Sequence, residues 1–314
     1  MDSKTPIVTV WCLAFNHNPY IRQCLQGFVE QKTDFKFEVL VHDDASTDGT
    51  QDIILEYQQK YPDLIKPILE KENLYSRHDG SLMKLQVDLC RGKYIAFCEG
   101  DDYWTDPLKL QKQVDFLESH PDFGMCHTDF SLSDGSRRTH YTEIYPDGNY
   151  YPGMLEHENV MIGTLTVLFK KEIFDRTPKY YFDNDFVAGD KPRWIELSKE
   201  AKIKYLPEVT ACYRILEKSA SHSPSLEKNL AFRRGLQDIR EFYAKKFNIT
   251  LTDYDNYYTS ALRACYIASN AQVAEKYYQE AKAKKSVTKR GRIFYWGAKS
   301  KLLHSLIELI IKPK

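Results

Sequence analysis

Three carboxylates stand within four residues at Glu99-Gly100-Asp101-Asp102, directly after the apolar run Tyr94-Ile95-Ala96-Phe97-Cys98. Carboxylates that close repel one another, so a fold that gathers them usually has a cation in place. Oxygen-only ligation from a loop favours Mg²⁺ or Mn²⁺, and magnesium keeps waters and takes its remaining ligands from phosphates. The competing reading is a solvated acidic turn capping a helix that opens near Pro107; the apolar strand in front of the cluster tilts the balance towards a site. A second acidic stretch, Asp43-Asp44-Ala45-Ser46-Thr47-Asp48-Gly49-Thr50, follows another apolar run. A carboxylate at a strand end can accept hydrogen bonds from a base N–H or from ribose hydroxyls. Ser46 or Thr47 can equally cap the next helix, and Gly49 permits a tight turn, so a capped turn without ligand is the alternative here.

The elements around these clusters alternate. Residues 7–15 read as a strand, and Asn18-Pro19 then supplies a helix start. The helix places Ile21, Cys24, Leu25 and Phe28 on one apolar face. Residues 37–41 are a second strand, followed by a helix with Ile53, Ile54, Tyr57 and Tyr61 inward. A strand near 65–69, a helix over 81–90, a strand over 93–98 and a helix from Asp106-Pro107 to about 119 complete the first half. Strands separated by such helices predict a sheet covered on both faces, with ligands beyond the carboxyl ends of the strands, where both acidic clusters fall. From about residue 141 the pattern loosens. Strands are expected over 165–169 and 209–215, with a helix near 192–200 between them, and the chain turns helical after Ser223-Pro224. The expected domains are therefore residues 1–224 and a helical extension over 225–314.

Together the first strand and the two acidic stretches resemble the inverting glycosyltransferases of family 2, which have the GT-A fold: a mixed, mainly parallel sheet with helices on both faces. Leu13-Ala14-Phe15-Asn16 stands where the family's first strand ends in a turn. Asp43 to Thr50 matches its Asp-Asp-x-Ser-x-Asp-Gly-Thr, and Glu99-Gly100-Asp101-Asp102 matches its Asp-x-Asp-Asp with Glu in first place. Pro107-x-Lys109-Leu110-x-x-Gln113 matches the following helix, and the resemblance runs over residues 5–222. It implies a nucleotide-sugar donor, normally a UDP-sugar, a divalent Mn²⁺ or Mg²⁺, and a glycan or lipid-linked acceptor. It places Asp44, with Asp43 beside it and Asn16 nearby, at the nucleotide base. Glu99 would face the ribose or the metal, Asp101 would bind the metal, and Asp102 would orient the donor sugar. Arg77 and Lys84 lie where the family often sets a basic residue against base or phosphate. Gly189-Asp190-Lys191-Pro192-x-Trp194 resembles the late acidic motif that carries the general base, which makes Asp190 the catalytic candidate, with Asp183 and Asp185 as competitors. Tyr213-Arg214 resembles the Tyr-Arg strand end; the histidine that often follows is replaced by Leu216, and His222 is the candidate for a diphosphate or metal contact in its stead. The other histidines read as ordinary surface or loop residues.

Composition sets the remaining bounds. Lys+Arg and Asp+Glu both number 44, so no global field draws the chain to nucleic acid. Seven scattered cysteines without a CxxC pair read as buried thiols in a reducing compartment, and the cytoplasm is the expected address. No stretch reaches the roughly 20 apolar residues that span a bilayer. From Lys282 onward, basic residues face a single acid, Glu308, and are interleaved with aromatic and aliphatic ones. Such a tail can lie on an anionic membrane, giving a peripheral location at the inner face of the plasma membrane, or pack on the body with a solvated basic face. A lipid-linked acceptor favours the membrane. Two rival functions remain: a nucleotide-sugar-binding scaffold without turnover, and nucleotidyl transfer to sugar phosphates. The latter normally shows a Gly-rich basic loop after the first strand, where this chain has Asn16-His17-Asn18-Pro19. A Rossmann dehydrogenase is disfavoured because no G-x-G-x-x-G follows that strand.

Overall fold

The computed structural model describes residues 5–77, 79–133, 138–140, 148, 150–156, 162–216 and 225–311. The chain divides into two compact units. The first comprises Met1–Tyr151, Met161–Asp185 and Gly189–Ile215, and the second Pro152–Val160, Phe186–Ala188 and Leu216–Lys314. The second unit thus begins ahead of the expected boundary at 225 and also takes two short segments from the loop-rich region. Arg240 anchors one of them by donating from Nε to the Leu155 carbonyl, and Phe186 packs edge-on against Phe242 at 5.4 Å.

In the first unit the strands are β1 (Val8–Ala14), β2 (Phe37–Asp43), β3 (Ile65–Leu69), β4 (Tyr94–Phe97), β5 (Tyr103–Trp104), β6 (Phe123–Ser133), β7 (Arg138–His140), β8 (Val167–Lys170) and β9 (Lys202–Arg214). Its helices are α1 (Asn18–Val29), α2 (Thr50–Lys60), α3 (Ser81–Leu89), α4 (Lys109–Ser119), α6 (Lys171–Arg176) and α7 (Asp190–Glu200); α5 (Tyr151–Glu156) runs into the second unit. The sheet order is β3-β2-β1-β4-β8-β6-β9-β5, with β7 on β6. The long pairings, β1 with β2 and β6 with β9, are parallel, whereas β8 runs antiparallel to both β4 and β6. The expected mixed, mainly parallel sheet is what the chain forms.

Three strands, β5, β6 and the short β7, escape the hydrophobic pattern. β6 carries His127, Thr128, Asp129 and Ser131, all buried, so its run of side chains does not read as apolar. Two of these are met internally: the Thr128 and Thr210 hydroxyls lie 2.6 Å apart, and Ser131 Oγ donates to the Ala211 carbonyl at 3.5 Å. β5 is only two residues long. It matters because it pairs Tyr103 with Cys212 and Trp104 with Ala211, bringing the end of β9 to the acidic loop that precedes it.

The predicted face of α1 is buried as expected at Ile21, Cys24, Leu25 and Phe28. Trp104 meets Phe28 edge-on at 4.8 Å, and a Cβ on Gly27 would fall 2.9 Å from the Trp104 carbonyl oxygen, so α1 approaches β5 this closely only with glycine there. All seven cysteines are buried and free.

Behind the acidic loop lies a fully buried lysine. Lys109 Nζ donates to Gln113 Oε1 at 2.7 Å and sits 4.4 Å from the Trp104 ring centre, while Gln113 Nε2 donates to the Thr166 carbonyl at 2.8 Å. Burial pulls the Lys109 ammonium down to about 7. The unfolded chain, with an ordinary lysine, then binds more protons than the native state from about pH 7 up to about 10.5. The cost of folding over Lys109 is full below pH 7 and shrinks as pH rises through that window. Urea unfolding at pH 7 and pH 9 should show wild type gaining roughly 2 kcal/mol relative to Lys109→Met. A pH-independent difference would mean that Lys109 titrates normally.

The second unit holds α8 (Leu226–Lys246), α9 (Asp255–Ile267), α10 (Ala271–Ala283), α11 (Lys289–Lys299) and α12 (Lys301–Ile311). Its core joins Leu262, Cys265 and Tyr266 of α9 to Phe294, Tyr295 and Ala298 of α11 and to Ile307 of α12, and Tyr278 stacks on Tyr295 at 3.9 Å. Part of the tail's aromatic content is therefore core. The rest is exposed: Trp296 at 52%, Leu302 at 74%, Leu306 at 48% and Leu309 at 77%. Among the described residues no helix is long and apolar enough to cross a membrane.

Candidate active site

Register alone brings the two acidic stretches to one edge. Ala14 pairs with Asp43 across β1 and β2, and Trp11 pairs with Phe97 across β1 and β4, so both clusters leave the sheet at its carboxyl end beside the turn after β1. That turn is clamped to the loop after β2. Asn16, at φ 55°, donates from its backbone to Ser46 Oγ at 2.7 Å and accepts from Thr47 N on Oδ1 at 2.9 Å. Asn18 N donates to Asp48 Oδ2 at 3.0 Å, and Asp48 Oδ1 accepts from Thr50 N at 3.1 Å. Asp48, rather than Ser46 or Thr47, therefore satisfies the start of α2. Burial raises its carboxyl, but these bonds outweigh that and hold it below the usual range.

Asp43 and Asp44 are both buried. Asp43 Oδ1 accepts from Ser46 N at 2.9 Å and from Gln51 Nε2 at 2.6 Å, while its Oδ2 is buried without a partner. Asp44 accepts from Leu74 N on Oδ1 at 2.7 Å and from Tyr75 N on Oδ2 at 3.0 Å. The Asp44 carboxylate thus shapes the segment after β3. Arg77, on the short helical turn that follows, is exposed and pairs with Glu72 at 2.7 Å. Lys84 is an exposed residue of α3.

The loop after β4 carries the rest. Asp102 is 2% exposed; its Oδ1 accepts from Arg214 N at 2.8 Å, and its own amide donates to the Glu99 carbonyl at 3.0 Å. The Arg214 guanidinium donates from Nη1 to the Asp101 carbonyl and from Nη2 to Gln23 Oε1, and stacks 4.5 Å from the Tyr103 ring centre. The last residue of β9 thereby fixes the acidic loop from the far half of the sheet. Burial, joined by repulsion from Asp101 and Asp190, pushes the Glu99 carboxyl up to about 8 against the opposing pull of Arg193. Burial and the charges of Asp101 and Glu99 also lift Asp102 well above the carboxylate range, with Arg214 opposing. Asp101 is half-buried, with His17 Nε2 at 4.0 Å from its Oδ2. Burial lowers His17 below its ordinary value, against the attraction of Asp101, Asp48 and Asp43, and its Nδ1 has no partner.

A cavity of about 230 Å³ opens beside this loop, lined by Trp11, Gln86, Phe97, Glu99, Asp190 and Arg193 among others. Asp190 is the first residue of α7; Gly189 is the N-cap, and Asp190 Oδ1 accepts from the neighbouring Lys191 N at 2.7 Å. Arg193, one turn on, is 6% exposed, donates from Nη2 to Gln86 Oε1 at 3.1 Å and lies 4.5 Å from the Phe97 ring centre. Trp11 Nε1 and Arg193 Nε are buried donors without acceptors. The cavity therefore offers two carboxyl groups and two unfilled donors, a set suited to hydroxyl-bearing ligands.

The histidines and the rival acids sit differently from their sequence reading. His17 is not an ordinary loop residue but touches the acidic loop, and His42 and His127 are buried. Arg193 was not legible, because a basic residue within a helix ordinarily reads as surface. Asp183 and Asp185 are exposed and do not line the cavity. His222 lies outside the described residues. Among the described residues no three His, Cys, Asp or Glu side chains are already arranged to hold a metal ion.

Residues 9–177 match the family described as glycosyl transferase family 2. An uncharacterized protein of Mycobacterium tuberculosis, Rv1520, is 35% identical over 66% of this chain, which spans only 58% of that protein's length. The putative teichuronic acid biosynthesis glycosyltransferase TuaG of Bacillus subtilis is 28% identical, covering 70% of this chain and 84% of its own. Among solved structures, S. aureus TarS 1-349 in complex with UDP-GlcNAc superposes with a TM-score of 0.55 over 93% of this chain and 91% of that one, at 16% identity. The last of these speaks for the GT-A fold alone, and the match over residues 9–177 settles membership: the chain belongs to glycosyl transferase family 2.

Proposed function

We propose that the protein transfers a sugar from a nucleotide-sugar, a UDP-sugar in the first instance, to an acceptor hydroxyl with inversion at the anomeric carbon. The observation that carries this is the junction of Glu99 and Asp190 in one cavity, beside Asp101 and Asp102 at the carboxyl end of the sheet. Asp43 and Asp44 would receive the base and ribose, Asp43 through its unpartnered Oδ2. The raised carboxyls of Glu99 and Asp102 are what a cation relieves, so Asp101, with Glu99 beside it, would hold a Mn²⁺ or Mg²⁺ when the donor is bound. When bound, such an ion offsets the charge that develops on the leaving diphosphate. Asp190 takes the proton of the acceptor hydroxyl as its oxygen attacks the anomeric carbon and the bond to the diphosphate breaks. Arg193 and Trp11 orient hydroxyl groups in the cavity. Assembly of a bacterial surface polysaccharide in the cytoplasm, on a glycan or lipid-linked acceptor, is the setting that the similarity to TuaG supports.

Thermal stabilisation by UDP- and GDP-sugars with Mn²⁺ tests the donor, since a ligand at 100 times its Kd adds about 2.7 kcal/mol. No stabilisation by any of them would overturn the reading. Donor hydrolysis with and without Mn²⁺ separates an enzyme from a scaffold that only binds.

The exposed leucines of α12, together with Lys289, Arg292 and Lys301, are proposed to rest on an anionic membrane, each basic group contributing about 1 kcal/mol near the surface. Deleting the tail from Arg292 would strip Phe294 and Tyr295 from the core, so substitution is the cleaner test. Leu302→Ser/Leu306→Ser/Leu309→Ser should abolish flotation with anionic vesicles while donor hydrolysis persists. Equal flotation of the variant and wild type would leave α12 with no membrane role.

A further inference from the structure

The helical unit contains a second cavity, about 540 Å³ in volume, between α9, α11 and α12. Its chemistry is set by helical spacing. On α9, Asn256, Thr259, Ser260 and Arg263 fall at i, i+3, i+4 and i+7, one face. On α11, Arg290, Ile293 and Phe294 do the same, and α12 contributes Ile307. The hydroxyls are already engaged: Thr259 Oγ1 lies 2.7 Å from Thr288 Oγ1, and Ser260 Oγ donates to the Tyr257 carbonyl at 2.9 Å. The free polar capacity is therefore cationic. Arg263 and Arg290 have no acid partner among the described residues, and the acid next to Ile307, Glu308, faces His304 at 3.7 Å. Arg233 adds to the same field; burial, then the nearby Arg263 charge, lower its guanidinium from its ordinary value.

Two unpaired guanidinium groups beside Phe294 and Ile307 ask for a ligand with an anionic head and an apolar body. We propose that this cavity binds a phosphate-bearing amphiphile, with the phosphate on Arg263 and Arg290 and the hydrocarbon against Ile293, Phe294 and Ile307. The leucine stripe of α12 is a different surface: Ile307 is buried, while Leu302, Leu306 and Leu309 are exposed. The site does not depend on the glycosyl-transfer reading.

Calorimetry with dodecyl phosphate below its micelle concentration tests this, with inorganic phosphate and dodecyl maltoside as separate arms. Dodecyl phosphate should bind at one site, and Arg263→Gln/Arg290→Gln should weaken it by roughly tenfold or more per arginine. Both side chains are exposed and unpaired, so the melting temperature of that variant should stay at the wild-type value, which is measured alongside. The variant Leu302→Ser/Leu306→Ser/Leu309→Ser should bind as wild type does. Equal affinity for inorganic phosphate would show an anion site with no amphiphile, and equal affinity for the maltoside a purely apolar one. Undiminished binding in the arginine variant, or loss in the leucine variant, would place the ligand elsewhere. Any of these four results overturns the proposal.

Discussion

Asp190→Asn is expected to lower turnover with acceptor by on the order of 10²–10⁴, the usual contribution of a general base, while UDP-sugar affinity and melting temperature stay near wild type. The separation rests on what Asp190 touches. Its only hydrogen bond among the described residues is from Lys191 N to Oδ1 at 2.7 Å, which an Asn carbonyl oxygen also accepts, and the N-cap of α7 is Gly189. Its charge in the first turn of α7 contributes about 0.3–1 kcal/mol through the helix dipole, too little to unfold the protein when lost. Its carboxylate does lie close enough to Glu99 to raise that group, so the cavity has two candidates for the base. Glu99→Gln on the same preparation decides between them. A loss confined to turnover in Asp190→Asn marks an interaction made only in the transition state. Near-normal turnover in Asp190→Asn with a collapse in Glu99→Gln would move the base to Glu99, and unfolding of Asp190→Asn would assign Asp190 a role in holding α7.

β1, β2 and β4 were legible because each is a largely apolar run buried on both faces, β3 because its short run is bounded by turns, and α1 and α2 because their buried positions keep helical spacing. Of the later strands, β8 and the second half of β9 were expected, but β5, β6 and β7 were not. β6 hides behind His127, Thr128, Asp129 and Ser131, whose burial only the pairing with β9 explains, and β5 is too short to show any period. The carboxylates could be read because acidic residues bunched after apolar runs stand out in one dimension. Their supports could not. Arg214 reaches Asp101 and Asp102 from more than a hundred residues away, and His17 reaches Asp101 across the β1 turn. Arg193 faces the cavity only because α7 presents that side to Phe97 and Gln86. Asp44 is the sharpest case. The motif places it at the nucleotide, but in this fold both its oxygens already accept from Leu74 and Tyr75, so any contact with a base uses the remaining lone pairs of a carboxylate fixed in place.

Asp101→Asn is expected to abolish the enhancement of UDP binding by Mn²⁺ and to lower turnover by on the order of 10²–10³, comparable to removing one group that stabilises developing charge. The fold should tolerate it well. Arg214 holds Asp101 through the backbone carbonyl, which the substitution leaves intact, and the half-buried side chain has His17 as its only ion-pair partner among the described residues. Removing the charge also relieves the repulsion that raises Glu99 and Asp102, so stability should hold or increase. A stabilised protein that has lost metal-linked UDP binding is the signature of a carboxylate kept for a cation at the expense of the apo fold. Calorimetry of UDP with and without Mn²⁺, beside thermal unfolding without nucleotide, reads both effects. If the variant bound UDP with Mn²⁺ as tightly as wild type, Asp101 would not be a metal ligand. If it unfolded more readily, the contact with His17 would be the reason the residue is there.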